Sequence, residues 1–106
     1  MEKHPTLGSV LADARKKNQK SLREMAERVL KEDGTPITPQ YLNDIEHDRR
    51  TPSPAVIEQL AAVYRFGADY LYHLAGTLPK DLHGKVGSEQ ASLKAWSAFR
   101  RKLKDQ

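Results

Sequence analysis

Ile37-Thr38-Pro39-Gln40-Tyr41-Leu42-Asn43-Asp44-Ile45-Glu46-His47-Asp48-Arg49-Arg50 decides the reading of this chain. Thr38 is a good helix N-cap, since its hydroxyl can accept from an orphan backbone N–H of the first turn. Pro39 then takes the first helical position, where a missing N–H costs nothing. Ile37 and Leu42 stand at the N′ and N4 positions of a hydrophobic staple. The resulting helix turns Leu42 and Ile45 inward and Gln40, Tyr41, Asn43, Asp44 and His47 outward. Gln and Asn amides can form bidentate hydrogen bonds to adenine in a major groove, and arginines directly after such a helix are placed for phosphates. The stretch has the profile of a helix that reads double-stranded DNA.

Working outward, the same grammar of caps and stripes repeats. Toward the N-terminus, Ser21 and Glu24 form an S-x-x-E capping box. It opens a helix whose apolar stripe is Leu22, Met25, Ala26, Val29 and Leu30, with Gly34 and Pro36 ending it. The expected result is an extended second helix and then a solvent-facing loop. Before it, Leu7, Val10, Leu11 and Ala14 fall on one face of a first helix, Leu7 to Lys17, capped by Thr6. Toward the C-terminus, Ser53-Pro54 again pairs an N-cap with proline at N1, and Val56, Ile57, Leu60, Ala61 and Tyr64 line the inner face of a fourth helix. Gly67 permits a turn, and a fifth helix from Ala68 to Ala75 stops at Gly76.

Residues 77–87, with Pro79, Gly84 and Gly87, read as a linker. A sixth, amphipathic helix is expected over 88–104, with Leu93, Trp96, Phe99 and Leu103 as its apolar stripe. The expected organisation is a domain over residues 1–76, the linker, and a C-terminal element over 88–106. That stripe either folds back to complete a thin core or meets a second subunit; the preferred reading is a homodimer.

Composition bounds the alternatives. The 106 residues suit one domain with an appended element, and they include no cysteine, hence no disulfide framework or thiolate metal site. No apolar run is long enough to span a bilayer, and the first five residues lack the apolar segment of a signal peptide, so a cytoplasmic protein without membrane contact is the expectation. The net charge of +4 permits nucleic-acid binding without requiring it. Glu46-His47-Asp48 invites a metal or acid–base reading, but adjacent helical residues do not share a face, and His4, His73 and His83 are scattered. With no phosphate loop and no nucleophile elbow, neither catalysis nor a cofactor nor a metal is expected.

Five short helices in this order resemble the lambda-repressor-like helix-turn-helix family, the Cro and Xre-type regulators. The resemblance covers roughly residues 7–76. It rests on Arg15, on Ser21-Leu22-Arg23-Glu24-Met25-Ala26, on Tyr41-Leu42-Asn43-Asp44-Ile45-Glu46, on Arg49-Arg50-Thr51-Pro52-Ser53, and on Leu60-Ala61. It implies an all-α fold: a five-helix domain followed by a C-terminal amphipathic helix. It also implies a sequence-specific transcriptional regulator, a dimeric repressor on a palindromic operator, with recognition helices about 34 Å apart. Residues 38–47 would enter the major groove. Gln40, Tyr41, Asn43 and Asp44 would contact bases, and Ser21, Arg23, Thr38, Arg49 and Arg50 would contact phosphates.

Two positions take a structural role from the same resemblance. Arg15 and Glu46 would form a partly buried bidentate pair that fixes the third helix against the first. Ala26 would be the small residue where the second and third helices approach. Two departures stand out. The Leu30-to-Pro36 connection is longer than the family's tight turn, and Leu22 replaces a glutamine that often clamps phosphate. Asp44 has two open readings, as acceptor from a cytosine amino group or as the partner that orients an arginine. The alternative function is an antitoxin or adaptor that binds a protein partner.

Overall fold

The computed structural model describes residues 5–79, 81 and 89–104. Six helices follow one another in it: α1 (Leu7–Lys17), α2 (Leu22–Ala26), α3 (Pro39–Glu46), α4 (Pro54–Tyr64), α5 (Ala68–Ala75) and α6 (Glu89–Lys104). The starts are chemical. Thr6 and Ser9 form a capping box at α1, and Ser21 and Glu24 form another at α2. Thr38 and Ser53 cap α3 and α4, each followed by proline in the first turn. The backbone N–H of Ser21 first, and its hydroxyl second, hold the Glu24 carboxyl below the usual carboxylate range.

The stops are also chemical. Gly76 closes α5 in the left-handed region at φ 74°. Arg65 does the same for α4 at φ 63°, an unusual conformation for a residue with a Cβ. The expected turn at Gly67 therefore begins two residues early, and Gly67 serves as the N-cap of α5.

α1 to α5 surround one core. Leu11, Leu42, Ile45, Ile57, Leu60 and Leu71 are fully buried in it, each contributing about 1.5–3 kcal/mol relative to exposure. Ile37 and Leu42, the staple pair, are both buried. Among the residues whose side chains are described, the core contains none of α6, whose Leu93, Trp96, Phe99 and Leu103 are 46–60% exposed. Of the expected linker, residues 77–79 and 81 are described; the others, like His4 and His83, lie outside the described residues.

The expectation of an extended second helix is overturned. α2 ends at Ala26, and Leu30 is exposed rather than turned inward. The chain instead makes a small hairpin. Ile37 N–H donates to Val29 O at 2.8 Å, Lys31 N–H donates to Thr35 O at 2.8 Å, and Leu30 and Pro36 form an isolated antiparallel bridge. Gly34, at φ 85°, makes the tip, and Asp33 accepts from both the N–H and the hydroxyl of Thr35.

The hairpin has a physical reason. It buries Val29 and Ile37 side by side while the tip stays in water, which a continued helix would not do. Its flank is tied to α4 by the Ser53 hydroxyl, which donates to Glu32 Oε1 at 2.6 Å and holds that carboxyl below its usual range.

Candidate nucleic-acid interface

α3 is fastened to α1 at its C-terminal end. Arg15 donates through Nε to Glu46 Oε2 at 2.6 Å and through Nη2 to Glu46 Oε1 at 2.9 Å. Its third donor, Nη1, reaches Lys20 O at 2.9 Å, so one guanidinium joins α1, the turn into α2 and the end of α3. The Glu46 side chain is 3% exposed and that of Arg15 13%. The bond to Glu46 raises the Arg15 pKa further, against the opposing effect of burial. Tyr64 lies by the same pair. Burial first, and the Glu46 charge second, push its phenol well above the ordinary range. Its hydroxyl is buried without a hydrogen-bond partner among the described residues.

A second fastening lies two residues on. Asp48, in the left-handed region at φ 58°, accepts from Thr6 Oγ1 at 2.7 Å and from Gly8 N at 2.9 Å. α1 and α3 come so close there that a Cβ on Gly8 would lie 2.5 Å from Glu46 O and 2.6 Å from Ile45 O. Neither Gly8 nor Asp48 was among the residues expected to matter. A glycine inside the buried Leu7–Leu11 face was the available sign, since it weakens a helix unless something needs the space. Ala26, expected at the close approach of α2 and α3, is fully buried.

With its inner face committed, α3 presents the outer face the sequence suggested. Gln40 is exposed, and Tyr41, Asn43 and Asp44 are half-buried. Asp44 Oδ1 is a hub: Gln40 Nε2 donates to it at 2.9 Å, and Arg49 donates through Nη2 at 3.0 Å and Nε at 3.2 Å. Arg50 turns back the other way, its guanidinium carbon 3.8 Å from the Tyr41 ring centroid. Both arginines are therefore drawn against the helix that precedes them. The Asn43 amide makes no hydrogen bond among the described residues, while its carbonyl accepts from His47 N and lies 2.8 Å from His47 Nδ1.

The remaining expected contacts sit apart from this cluster. Thr38 Oγ1 accepts from Tyr41 N at 3.0 Å, and Ser21 Oγ accepts from Glu24 N at 3.1 Å. Each hydroxyl keeps its own proton to donate. Arg23 is exposed on α2. On α6, Trp96 and Phe99 pack edge to face at 5.8 Å and help line a groove of about 350 Å³ against α5, opposite Tyr72 and His73. Among the described residues, no three His, Asp or Glu side chains gather as metal ligands, and no helix is long and apolar enough to cross a membrane.

A cap-and-staple helix, pinned to α1 from behind and edged by two arginines, is the second half of a helix-turn-helix. A family model for the helix-turn-helix matches residues 11–71, from the middle of α1 into α5. The chain belongs to the lambda-repressor-like helix-turn-helix family. The match spans more than half of the chain and contains the whole α2–hairpin–α3 unit. Members of this helix-turn-helix family are DNA-binding transcription regulators rather than enzymes, and the chain is a DNA-binding regulator in that general sense. No curated protein and no solved structure matches it.

Proposed function

We propose that this protein is a sequence-specific transcriptional repressor that binds double-stranded DNA as a dimer, with α3 in the major groove. The observation that carries the reading is the outer face of α3, where the amides of Gln40 and Asn43 are framed by Arg49 and Arg50. Gln40, nearest the helix N-terminus, is placed as recognition helices place their base-reading residues. Asn43 is the second base contact, with Tyr41 and Asp44 beside it. Arg49, Arg50, Arg23, Ser21 and Thr38 hold phosphates and set the register of docking.

In this reading the domain over residues 1–76 reads one half-site, and α6 pairs with its counterpart in a second copy through Leu93, Trp96, Phe99 and Leu103. Exposure of that apolar row supports an interface there. The same exposure favours a second reading, in which α6 docks a different protein and the chain acts as an antitoxin or adaptor. Sedimentation of the purified protein separates the two, because a dimer forms without any other component.

The DNA reading is tested by fluorescence anisotropy with random and selected duplexes at several salt concentrations. Affinity falls as salt rises if phosphates are bound. Gln40→Ala relaxes preference at one position of the selected site, and Arg50→Ala weakens all sequences alike. Negligible binding at low salt would sink the proposal, and identical effects of the two variants would sink the division of roles.

A further inference from the structure

The charge of this chain is unevenly placed. Residues 89–104 contain Lys94, Arg100, Arg101, Lys102 and Lys104 against Glu89 alone, which equals the +4 of the whole chain. Residues 5–79 hold ten Lys and Arg and ten Asp and Glu, so the five-helix domain is neutral. Its cations are also partly engaged: Arg15 with Glu46, Arg49 with Asp44, and Arg50 over Tyr41. DNA carries one negative charge per about 1.7 Å of axis, and non-specific affinity comes almost wholly from phosphate neutralisation. A neutral domain supplies little of it.

Four of the five α6 cations fall within residues 100–104, and all four are exposed. The helix dipole rewards cations in a last turn, but a one-sided helix would keep them on one stripe. At about 100° per residue, Arg100 and Lys104 share one flank, while Arg101 and Lys102 point elsewhere, so cations cover a little more than half of the tip's circumference, with Leu103 on the remaining side. Trp96 and Phe99, in the body of the helix, line the groove along α5.

We infer that the basic end of α6 is a second DNA-binding element, in which Arg100, Arg101, Lys102 and Lys104 bind phosphates outside the base pairs read by α3. The inference rests on the proposed DNA-binding function. The tip supplies sequence-independent affinity, and α3 supplies discrimination.

The test uses the full chain and a variant carrying Arg100→Gln, Arg101→Gln, Lys102→Gln and Lys104→Gln, since glutamine matches lysine and arginine in helix propensity. Binding to operator and random duplexes is followed by anisotropy between about 50 and 200 mM salt. The expected result is a slope of log affinity against log salt that is shallower by about 0.9 per lost contact, so by about 3–4. Affinity at the low-salt end falls at least about tenfold for both duplexes, and base preference is unchanged. An unchanged slope and affinity overturns the inference and leaves the tip to an acidic protein surface. A loss that tracks dissociation of the protein in sedimentation also overturns it, because the tip then acts through assembly. Arg50→Ala and Gln40→Ala, run alongside, keep the two readings apart. If they weaken binding and the α6 variant does not, α3 reads DNA and this inference fails. If only the α6 variant weakens binding, the tip binds DNA and the role given to α3 fails. If the unaltered protein binds no duplex at low salt, both fail.

Discussion

The backbone N–H of Gly8 donates to Asp48 Oδ1 at 2.9 Å, placing the carboxylate of the residue after α3 on the first turn of α1. The contact is possible only because residue 8 has no side chain: a Cβ would press on two backbone carbonyls that cannot swing aside. Gly8→Ala is therefore expected to destabilise the fold by about 1–3 kcal/mol through overpacking, despite alanine's better helix propensity. Asp48→Ala removes two hydrogen bonds and puts a Cβ residue less tolerant of φ 58° in its place, at a similar cost, and Asp48→Asn loses less. Urea unfolding of the three variants checks this order.

The Arg15–Glu46 pair gives a sharper test. Removing either partner alone leaves a buried charge or its desolvated partner, and a loss of about 3–5 kcal/mol is expected. Arg15→Met with Glu46→Leu recovers most of that loss. Arg15→Lys does not, because an ammonium cannot serve two carboxylate oxygens and Lys20 O in one plane. A double-mutant cycle by chemical denaturation decides between these outcomes.

Tyr64 predicts an alkaline limb. Its folded pKa is raised and its unfolded pKa is ordinary, near 10. Below that value both states keep the proton and the group has no effect on the pH profile. Above it the unfolded state releases the proton first, so stability falls as pH rises past about 10. Tyr64→Phe removes a buried hydroxyl without a hydrogen-bond partner among the described residues, so the variant is expected to be as stable or more stable at neutral pH. It should also flatten the limb above pH 10. Thermal melts across that range would show an unchanged limb if Tyr64 were not its source.

On the outer face, Tyr41 acts on DNA through Arg50 in the proposed complex. An exposed cation–π contact is worth about 0.5–1 kcal/mol, enough to hold a long side chain in one place. Tyr41→Phe keeps the ring and should leave DNA affinity within about twofold if stacking is its role. Tyr41→Ala should weaken binding as Arg50→Ala does, and the two changes together should be less than additive. Anisotropy titrations of the four proteins test this; a large loss in Tyr41→Phe would assign the work to the hydroxyl instead.

Much of this architecture is written locally in the chain. Thr6, Ser21, Thr38 and Ser53 announce helix starts by short-range hydrogen bonding, and Gly76 marks a stop by backbone freedom alone. The outer face of α3 followed from helical periodicity for the same reason. The hairpin after α2 is hidden in the sequence because Leu22, Met25, Ala26 and Val29 keep a helical phase up to the point where pairing with Ile37 takes over. Asp33-Gly34 is a hairpin signal, but here it competed with that stripe. Gly8–Asp48 was out of reach of local reading, because the partners are forty residues apart in sequence. Gln40 and Asp44 meet one turn apart on α3, but the contact of Asp44 with Arg49 depends on the left-handed turn at Asp48, which brings Arg49 back along the helix it has just left.

That turn has a consequence for how the protein discriminates. Asp44 offers Arg49 a carboxylate oxygen where DNA would offer a phosphate oxygen, and offers Gln40 an acceptor where DNA would offer a base. In the proposed complex the contacts of Gln40 and Arg49 on DNA replace ones already made inside the protein, so a poorly matched sequence returns little more there than it displaces. Asp44 in effect holds the place of the ligand, and only a site that satisfies amide and guanidinium together gives reason to vacate it.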